Sequence, residues 1–553
     1  MLTSSRSSRL VVMVTAVTAL GARVAEGRPP QAQTTVPDVD IVATPTAPLP
    51  PLEAPRPTYA RDVSPELRAA VEEALRNPAL RGARVSVYAA RLSDGAPLIT
   101  LNEDAQLNPA SCVKLVTSAT ALRVMRPEFR FRTEYLVRGT LEGNTLKGDL
   151  IVRGVGDPTI GQERLYRVAT ELSARGIQNI TGDIILDDSY FDQVWEAPGW
   201  EQETQFDRAY AAPAGALSLT SNTVAVWVRP GTHRGAPAQV QVEPPSDHFV
   251  VESQVMTVRF GRRLWVRTLP DGDKTRVVVQ GVIGVHEPAE RVVRRIFNPS
   301  SHFGSSLMAM LRMRGINVKG RVRPGVTPEN ARQLLLDASP ALKDIVTNLN
   351  HHSSNFVAEM LLKAVGAHVY GAPGTTQKGL QVVQGFLERE VGIPPGSYIM
   401  GNGSGLNDVN RFTTAQLVRL LRKMAQDPTL APEYVGSLGV AGASGTLSHR
   451  MGATLAERQL RAKTGTLIGV SALSGYLETP RRETVAFSIM INGLSGPAST
   501  GWEMQDRIGA ALAGDTDYNV VLARRAARLG GSQSAQLDSP AAATQTVPGG
   551  GDP

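Results

Sequence analysis

Asn108-Pro109-Ala110-Ser111-Cys112-Val113-Lys114-Leu115-Val116-Thr117 is the stretch on which the reading of this chain turns. Asn108 is a residue type that caps helices, and Pro109 suits a first helical position. Together they predict a helix with Ser111 in its first turn and Lys114 one turn on. Residues three apart share a helical face, so the hydroxyl and the amine can approach each other. A serine hydroxyl is a poor nucleophile without a base. A lysine serves as that base only if its pKa falls toward neutrality, through desolvation or through positive potential such as a helix N-terminus supplies. Alone, Ser-x-x-Lys occurs by chance in most long chains, and an ordinary amphipathic helix is the simpler account.

Two later stretches change that balance. In His351-His352-Ser353-Ser354-Asn355-Phe356, Ser353 and Asn355 form a Ser-x-Asn triplet before the apolar run VAEMLLKAV. Helix capping explains such a pair on its own, yet the hydroxyl can also relay a proton and the amide can hold a substrate carbonyl. In Arg461-Ala462-Lys463-Thr464-Gly465-Thr466 a lysine, a hydroxyl and a glycine lie on a strand-like run. An edge strand of that kind binds a peptide's terminal carboxylate, and the glycine lets an extended substrate lie close. A hairpin strand with a surface lysine is the plainer alternative. In the order Ser-x-x-Lys, Ser-x-Asn, Lys-Thr-Gly the three form the signature of penicillin-binding proteins and serine β-lactamases.

The chain resembles the low-molecular-mass class C penicillin-binding proteins, the D-alanyl-D-alanine carboxypeptidase/endopeptidase family of the DacB type. The resemblance also covers GDLIVRGVGDPTI (148–160), TGDIILDDSYFD (181–192), YAAPAGALSLTSNTVAVWVRPG (210–231), NGSGLNDVNRFTTAQL (402–417) and VAGASGTLSHR (440–450). It implies that Ser111 is the acylated nucleophile, Lys114 its general base and Ser353 the relay toward the leaving amine. It likewise implies that Asn355 contacts the substrate backbone and that Lys463 and Thr464 hold the terminal carboxylate. Gly465 lies beside them, and the backbone N–H groups of Ser111 and Thr466 form the oxyanion hole. Asp187, with Asp188 adjacent, matches an insertion aspartate facing the stem peptide's amino-bearing side chain. The chain departs from the family at Asn402-Gly-Ser-Gly, where an Asp often precedes the glycine. That loop reads as structural.

Outward from these motifs the chain divides. Arg6 and Arg9 precede an apolar stretch at 10–22 (LVVMVTAVTALGA), which reads as a signal peptide over 1–25 and an exported, periplasmic protein. Residues 26–60 are rich in Pro and Thr and read as a disordered linker. Ser64, Pro65, Leu67, Val71 and Leu75 predict a helix, and 85–90 with 98–101 a β-hairpin. The expected fold is α/β (α+β): a penicillin-binding/β-lactamase-like serine transpeptidase domain over 61–134 and 297–515. A long, mainly β insertion over 135–296 splits it, and a mostly disordered tail fills 516–553. The gap between Ser111 and Ser353 is far longer than in a compact β-lactamase, as an insertion requires.

The composition fits a soluble globular chain: 42% hydrophobic and 20% charged, with net charge +7. Scattered basic residues without interleaved aromatics exclude nucleic acid as a natural partner. One cysteine, Cys112, precludes an intramolecular disulfide, and eight histidines without a second cysteine make no structural zinc site. No metal or other cofactor is implied. Gly154-Val-Gly156 starts like a dinucleotide fingerprint but meets Thr159 where the third glycine belongs. The expected partners are peptidoglycan stem peptides, with β-lactam antibiotics as covalent inhibitors. A homodimer is compatible with the chain, as is peripheral membrane contact through the basic segment 519–529. Two other functions stay in competition: a catalytically silent peptidoglycan-binding protein of the same fold, and a β-lactamase.

Overall fold

Arg84–Arg91 and Thr484–Asn492 lie nearly four hundred residues apart in sequence, yet they pair antiparallel at the centre of one sheet, Val87 opposite Ile489. The computed structural model describes residues 56–517, 519–524 and 527–528, which fall within one compact unit, Pro50–Pro553. The expected signal segment and most of the linker and tail lie outside the described residues.

The central sheet runs Thr58–Tyr59, Pro97–Leu101, Arg84–Arg91, Thr484–Asn492, Val470–Glu478, Arg461–Leu467, Gly439–Val440. The period-two alternation of a strand decides its two faces. Val485, Phe487, Ile489 and Ile491 enter one core, with Val71 of the first helix and Met504 and Ile508 of the last. Ala486 and Met490 enter the other, against Leu417 and Leu421. That second core continues into the helices Lys114–Met125 and Asn355–Tyr370. Both are buried almost all round, as helices without a polar face must be.

The helix expected after Ser64 is Pro65–Leu75, with the Ser64 hydroxyl accepting from Leu67 N at 3.2 Å. The expected hairpin is the pair Arg84–Arg91 and Pro97–Leu101. The linker ends earlier than its Pro-rich composition suggests: Thr58 and Tyr59 already pair with Thr100 and Ile99.

A second sheet starts at Arg132 and closes at Ala338, beyond the expected limit of 296. Its order is Asn317–Val318, Asn179–Ile180, Thr145–Arg153, Arg132–Glu142, Arg332–Ala338, with Ile184–Asp187 and Val322–Pro324 attached. The helix Pro299–Met313, whose periodicity resembles that of the main domain's helices, belongs here. Its Phe303, Leu307 and Leu311 share a core with Leu165, Val168 and Leu172 of the helix Gln162–Ala174. Periodicity shows which face a helix buries, not which sheet receives it. Two three-stranded sheets complete the insertion, joined by a valine-rich core that includes Val224, Val226, Val266, Val277 and Val279.

Candidate active site

Asn108 anchors the turn that carries Ser111. Its Oδ1 accepts from Ala110 N at 2.8 Å, and its main chain exchanges two hydrogen bonds with the Asn492 amide. The turn is tighter than the helix expected from Asn108 and Pro109. Ala110–Val113 is a 3₁₀ turn, and the α-helix begins at Lys114. Ala110 sits at φ 45, a left-handed conformation that costs energy in a residue with a Cβ. Ser111 therefore emerges from a kinked entry to a buried helix.

Lys114 is fully buried. Its Nζ stands 2.8 Å from Ser111 Oγ and 2.7 Å from Asn355 Oδ1, and it donates to the carbonyl of Ser404. Burial, and then the positive charge of Lys463, hold its pKa well below the usual lysine value. Asn355 is the first residue of its helix, which is capped by the Ser354 hydroxyl. Its own amide donates to Tyr210 O at 3.0 Å, which fixes Oδ1 toward Lys114.

Ser353 ends the preceding helix at φ 56 and ψ 35. Its hydroxyl accepts from Lys463 Nζ at 2.8 Å. Lys463 is buried on the strand Arg461–Leu467 and donates also to Thr464 O; burial pushes its pKa down to about 8. The strand lies directly against the turn that carries Ser111. An added Cβ on Gly465 would stand 2.6 Å from Pro109 O and 3.1 Å from Ser111 N. Cys112 is buried and donates its S–H to Lys463 O at 3.2 Å. Thr464 and Thr466 extend outward, with hydroxyls bonded to Thr446 Oγ1 and Trp502 Nε1.

The structure thus brings Ser111, Lys114, Ser353, Asn355 and 463–466 into one cluster. Asp187 takes no part in it. It is buried in the insertion, where Oδ1 accepts from Ser189 and Oδ2 from Thr327 N. Those bonds hold its carboxyl below the usual range against the opposing effect of burial. Asp188 bonds instead to the Ser300 hydroxyl. His351 contacts Leu438 O at 3.2 Å, not a serine hydroxyl.

Two features escaped the sequence. The loop 402–405, read as merely structural, places the Ser404 carbonyl on Lys114. Glu359, one turn after Asn355, is fully buried and accepts from Gly403 N at 3.2 Å and Ser404 N at 2.8 Å. A carboxylate among the apolar residues of that run, Val357-Ala358-Glu359-Met360-Leu361, was the available signal. A tight polar cluster without metal-ligand geometry suits acyl transfer: an activated hydroxyl, a desolvated base and a second amine–hydroxyl pair. Among the described residues no group of three or more His, Cys, Asp or Glu side chains is placed to hold a metal ion.

The model of the D-Ala-D-Ala carboxypeptidase 3 (S13) family matches residues 67–512 of this chain. A D-alanyl-D-alanine carboxypeptidase from Actinomadura sp. strain R39 is 34% identical over 463 residues, 81% of this chain and 84% of that protein. The crystal structure of penicillin binding protein 4 (dacB) from Haemophilus influenzae matches with a TM-score of 0.70 at 25% identity, covering 80% of this chain and 98% of that one. The same protein complexed with a novel β-lactam matches at 0.66 and 25%, covering 79% and 97%.

Proposed function

The chain belongs to the D-Ala-D-Ala carboxypeptidase 3 (S13) family, with the fold of penicillin binding protein 4, and is a serine D-Ala-D-Ala carboxypeptidase; from that premise we propose that it works through an acyl-enzyme on Ser111. The supporting observation is the 2.8 Å approach of Lys114 Nζ to Ser111 Oγ in a site whose burial lowers the amine's pKa well below the usual lysine value.

In this proposal the neutral Lys114 amine takes the proton of the Ser111 hydroxyl as Oγ attacks the penultimate D-alanyl carbonyl. The backbone N–H groups of Ser111 and Thr466 receive the developing oxyanion. Lys463, charged below about 8, attracts the terminal carboxylate together with Thr464, and Gly465 lets the peptide lie along the strand. Ser353, held by Lys463, gives its proton to the departing D-alanine amine and takes back the one Lys114 collected, which leaves Lys114 neutral for the next step. Asn355 faces the bound peptide while tethering Lys114. Water then attacks the ester, with Lys114 again as base, and frees Ser111. Asp187 keeps its carboxylate for the insertion's own loops.

The substrates we propose are peptidoglycan stem peptides and, in an endopeptidase reaction, the cross-links between them. β-Lactams would acylate Ser111 in the same way, in keeping with the β-lactam complex of the Haemophilus protein. Export to the periplasm is part of the proposal and rests on the basic and apolar N-terminal segment. A homodimer and peripheral membrane contact through 519–529 remain proposals of the sequence.

Intact-protein mass after incubation with benzylpenicillin tests the assignment. One stable adduct on the wild type, absent from Ser111→Ala, is expected. No adduct on folded wild-type protein would sink the acyl-enzyme reading and favour a silent binding protein. Rapid turnover of the drug would mark a β-lactamase.

A further inference from the structure

We propose that Glu359, through the loop 402–405 it holds, is a positioning residue that aims the lone pair of Lys114 at Ser111 and sets how readily that amine accepts a proton. The inference rests on the assignment of Lys114 as base and says what makes it one.

A neutral amine has two N–H bonds and one lone pair. Lys114 Nζ meets three groups: Asn355 Oδ1, the Ser404 carbonyl and Ser111 Oγ. The first two can only accept. Both N–H bonds are therefore committed to them, and the lone pair is left for the one partner that carries a proton. If the Ser404 carbonyl swung away, an N–H could turn to Ser111, and the hydroxyl would accept from the amine when it should donate.

The carbonyl is kept in place by the two peptide N–H groups that Glu359 receives. Its Oε1 accepts from Ser404 N at 2.8 Å and its Oε2 from Gly403 N at 3.2 Å. Thr117 Oγ1 donates to Gly403 O at 2.8 Å from the helix that bears Lys114. Asn402 closes the loop by accepting from Gly405 N at 2.9 Å. A carboxylate that only accepts suits this geometry, and the donors and Lys114 oppose the rise that burial imposes on Glu359.

Charge adds a second effect. The titratable groups acting on Lys114 are Lys463 from the facing strand, Glu359 from its helix and Cys112 from its own turn. Burial first, and then the charge of Lys463, lower the pKa of the resting amine. When the Ser111 proton moves to Nζ, Glu359 is the buried anion that balances the new ammonium, which then donates to all three neighbours.

The test is the pH dependence of acylation by a chromogenic cephalosporin, followed by stopped flow on wild type and Glu359→Gln. Gln keeps the size but removes the charge and turns a donor toward a peptide N–H. The expected result is a plateau rate lowered by about tenfold or more, with the acid limb displaced to lower pH by about half a unit or more, because Lys114 loses the anion that favours its protonated form. A lowered plateau with an unmoved limb, or no change in either, overturns the proposal. Glu359→Asp retains the charge on a shorter arm. It should keep the wild-type limb and lose part of the plateau rate, and it decides the matter if the Gln variant does not fold; a wild-type plateau in Asp is the overturning result. Wild-type protein that is not acylated at all would instead remove the assignment of Ser111 and Lys114, so the two failures are distinct.

Discussion

Lys463 has a pKa near 8 because its strand buries it beside the nucleophile turn. It binds a carboxylate only as the ammonium form, so activity on a D-Ala-D-Ala peptide should fall as pH rises through about 8. An ester or thioester lacking the terminal carboxylate should show a weaker decline; equal base limbs for both would refute the role given to Lys463. The Lys114 pKa is lowered as well, and in the proposed mechanism it has the opposite requirement, since a base must be neutral to act. Lys114→Ala should leave a folded protein acylated about 10²- to 10⁴-fold more slowly, the usual worth of a general base, as read by the rate of penicillin adduct formation. Undiminished acylation would show that another group takes the Ser111 proton. These residues were legible in the sequence because each motif is a local spacing. Serine and lysine must lie three apart to meet on one helical face, and Ser353 and Asn355 must flank one turn. Glu359 was not, because its partners at 403 and 404 are brought to it by the tertiary fold and no local period encodes them.

At the level of elements, the site is an apposition of one turn, one strand and one loop, and two glycines set how closely they meet. Gly465 lets the strand Arg461–Leu467 lie on the nucleophile turn; Gly405, at φ 79, lets the loop 402–405 do so from the other side. A Cβ at 465 would meet Pro109 O at 2.6 Å, and one at 405 would meet Ala110 O at 2.0 Å. Gly405→Ala adds left-handed strain to the clash and should be the more destabilising of the two, by about 1–3 kcal/mol. Gly465→Ala should spare most of the stability and lose acylation, because the strand has to retreat from Ser111. Thermal melts paired with adduct formation separate the two, and equal melting temperatures would contradict the ranking. The elements themselves were largely readable: Ser64 and Pro65 opened a helix, and the apolar alternation of 85–101 made a hairpin. The Ser111 turn was not, since Asn108 accepts from Ala110 N ahead of the 3₁₀ turn Ala110–Val113, and the α-helix begins only at Lys114, after the left-handed Ala110.

Across the whole molecule, the insertion reaches the catalytic lobe through a short segment rather than hanging from it. Tyr210 O fixes Asn355, Pro198 O accepts from Asn402 at 2.9 Å, and the buried Lys363 ammonium pairs with Asp192 at 2.5 Å. Sequence alone showed that β-rich chain was inserted between the first two motifs, but it ended the insertion at 296. Its closing strand at Arg332–Ala338 became visible only through pairing with Arg132–Glu142, a contact between distant residues that local texture does not carry. Since 190–214 touches the loop, the Asn355 helix and the insertion together, the lobes should unfold as one. Asp192→Ala leaves Lys363 buried without its carboxylate, and breaking such a pair costs about 3 kcal/mol, less whatever solvent reaches the partly exposed aspartate. Calorimetry should therefore find a lower melting temperature and still one transition. A second transition, with penicillin stabilising only the upper one, would mean that the insertion folds independently and that the contacts from Tyr210 and Pro198 do not couple it to the site.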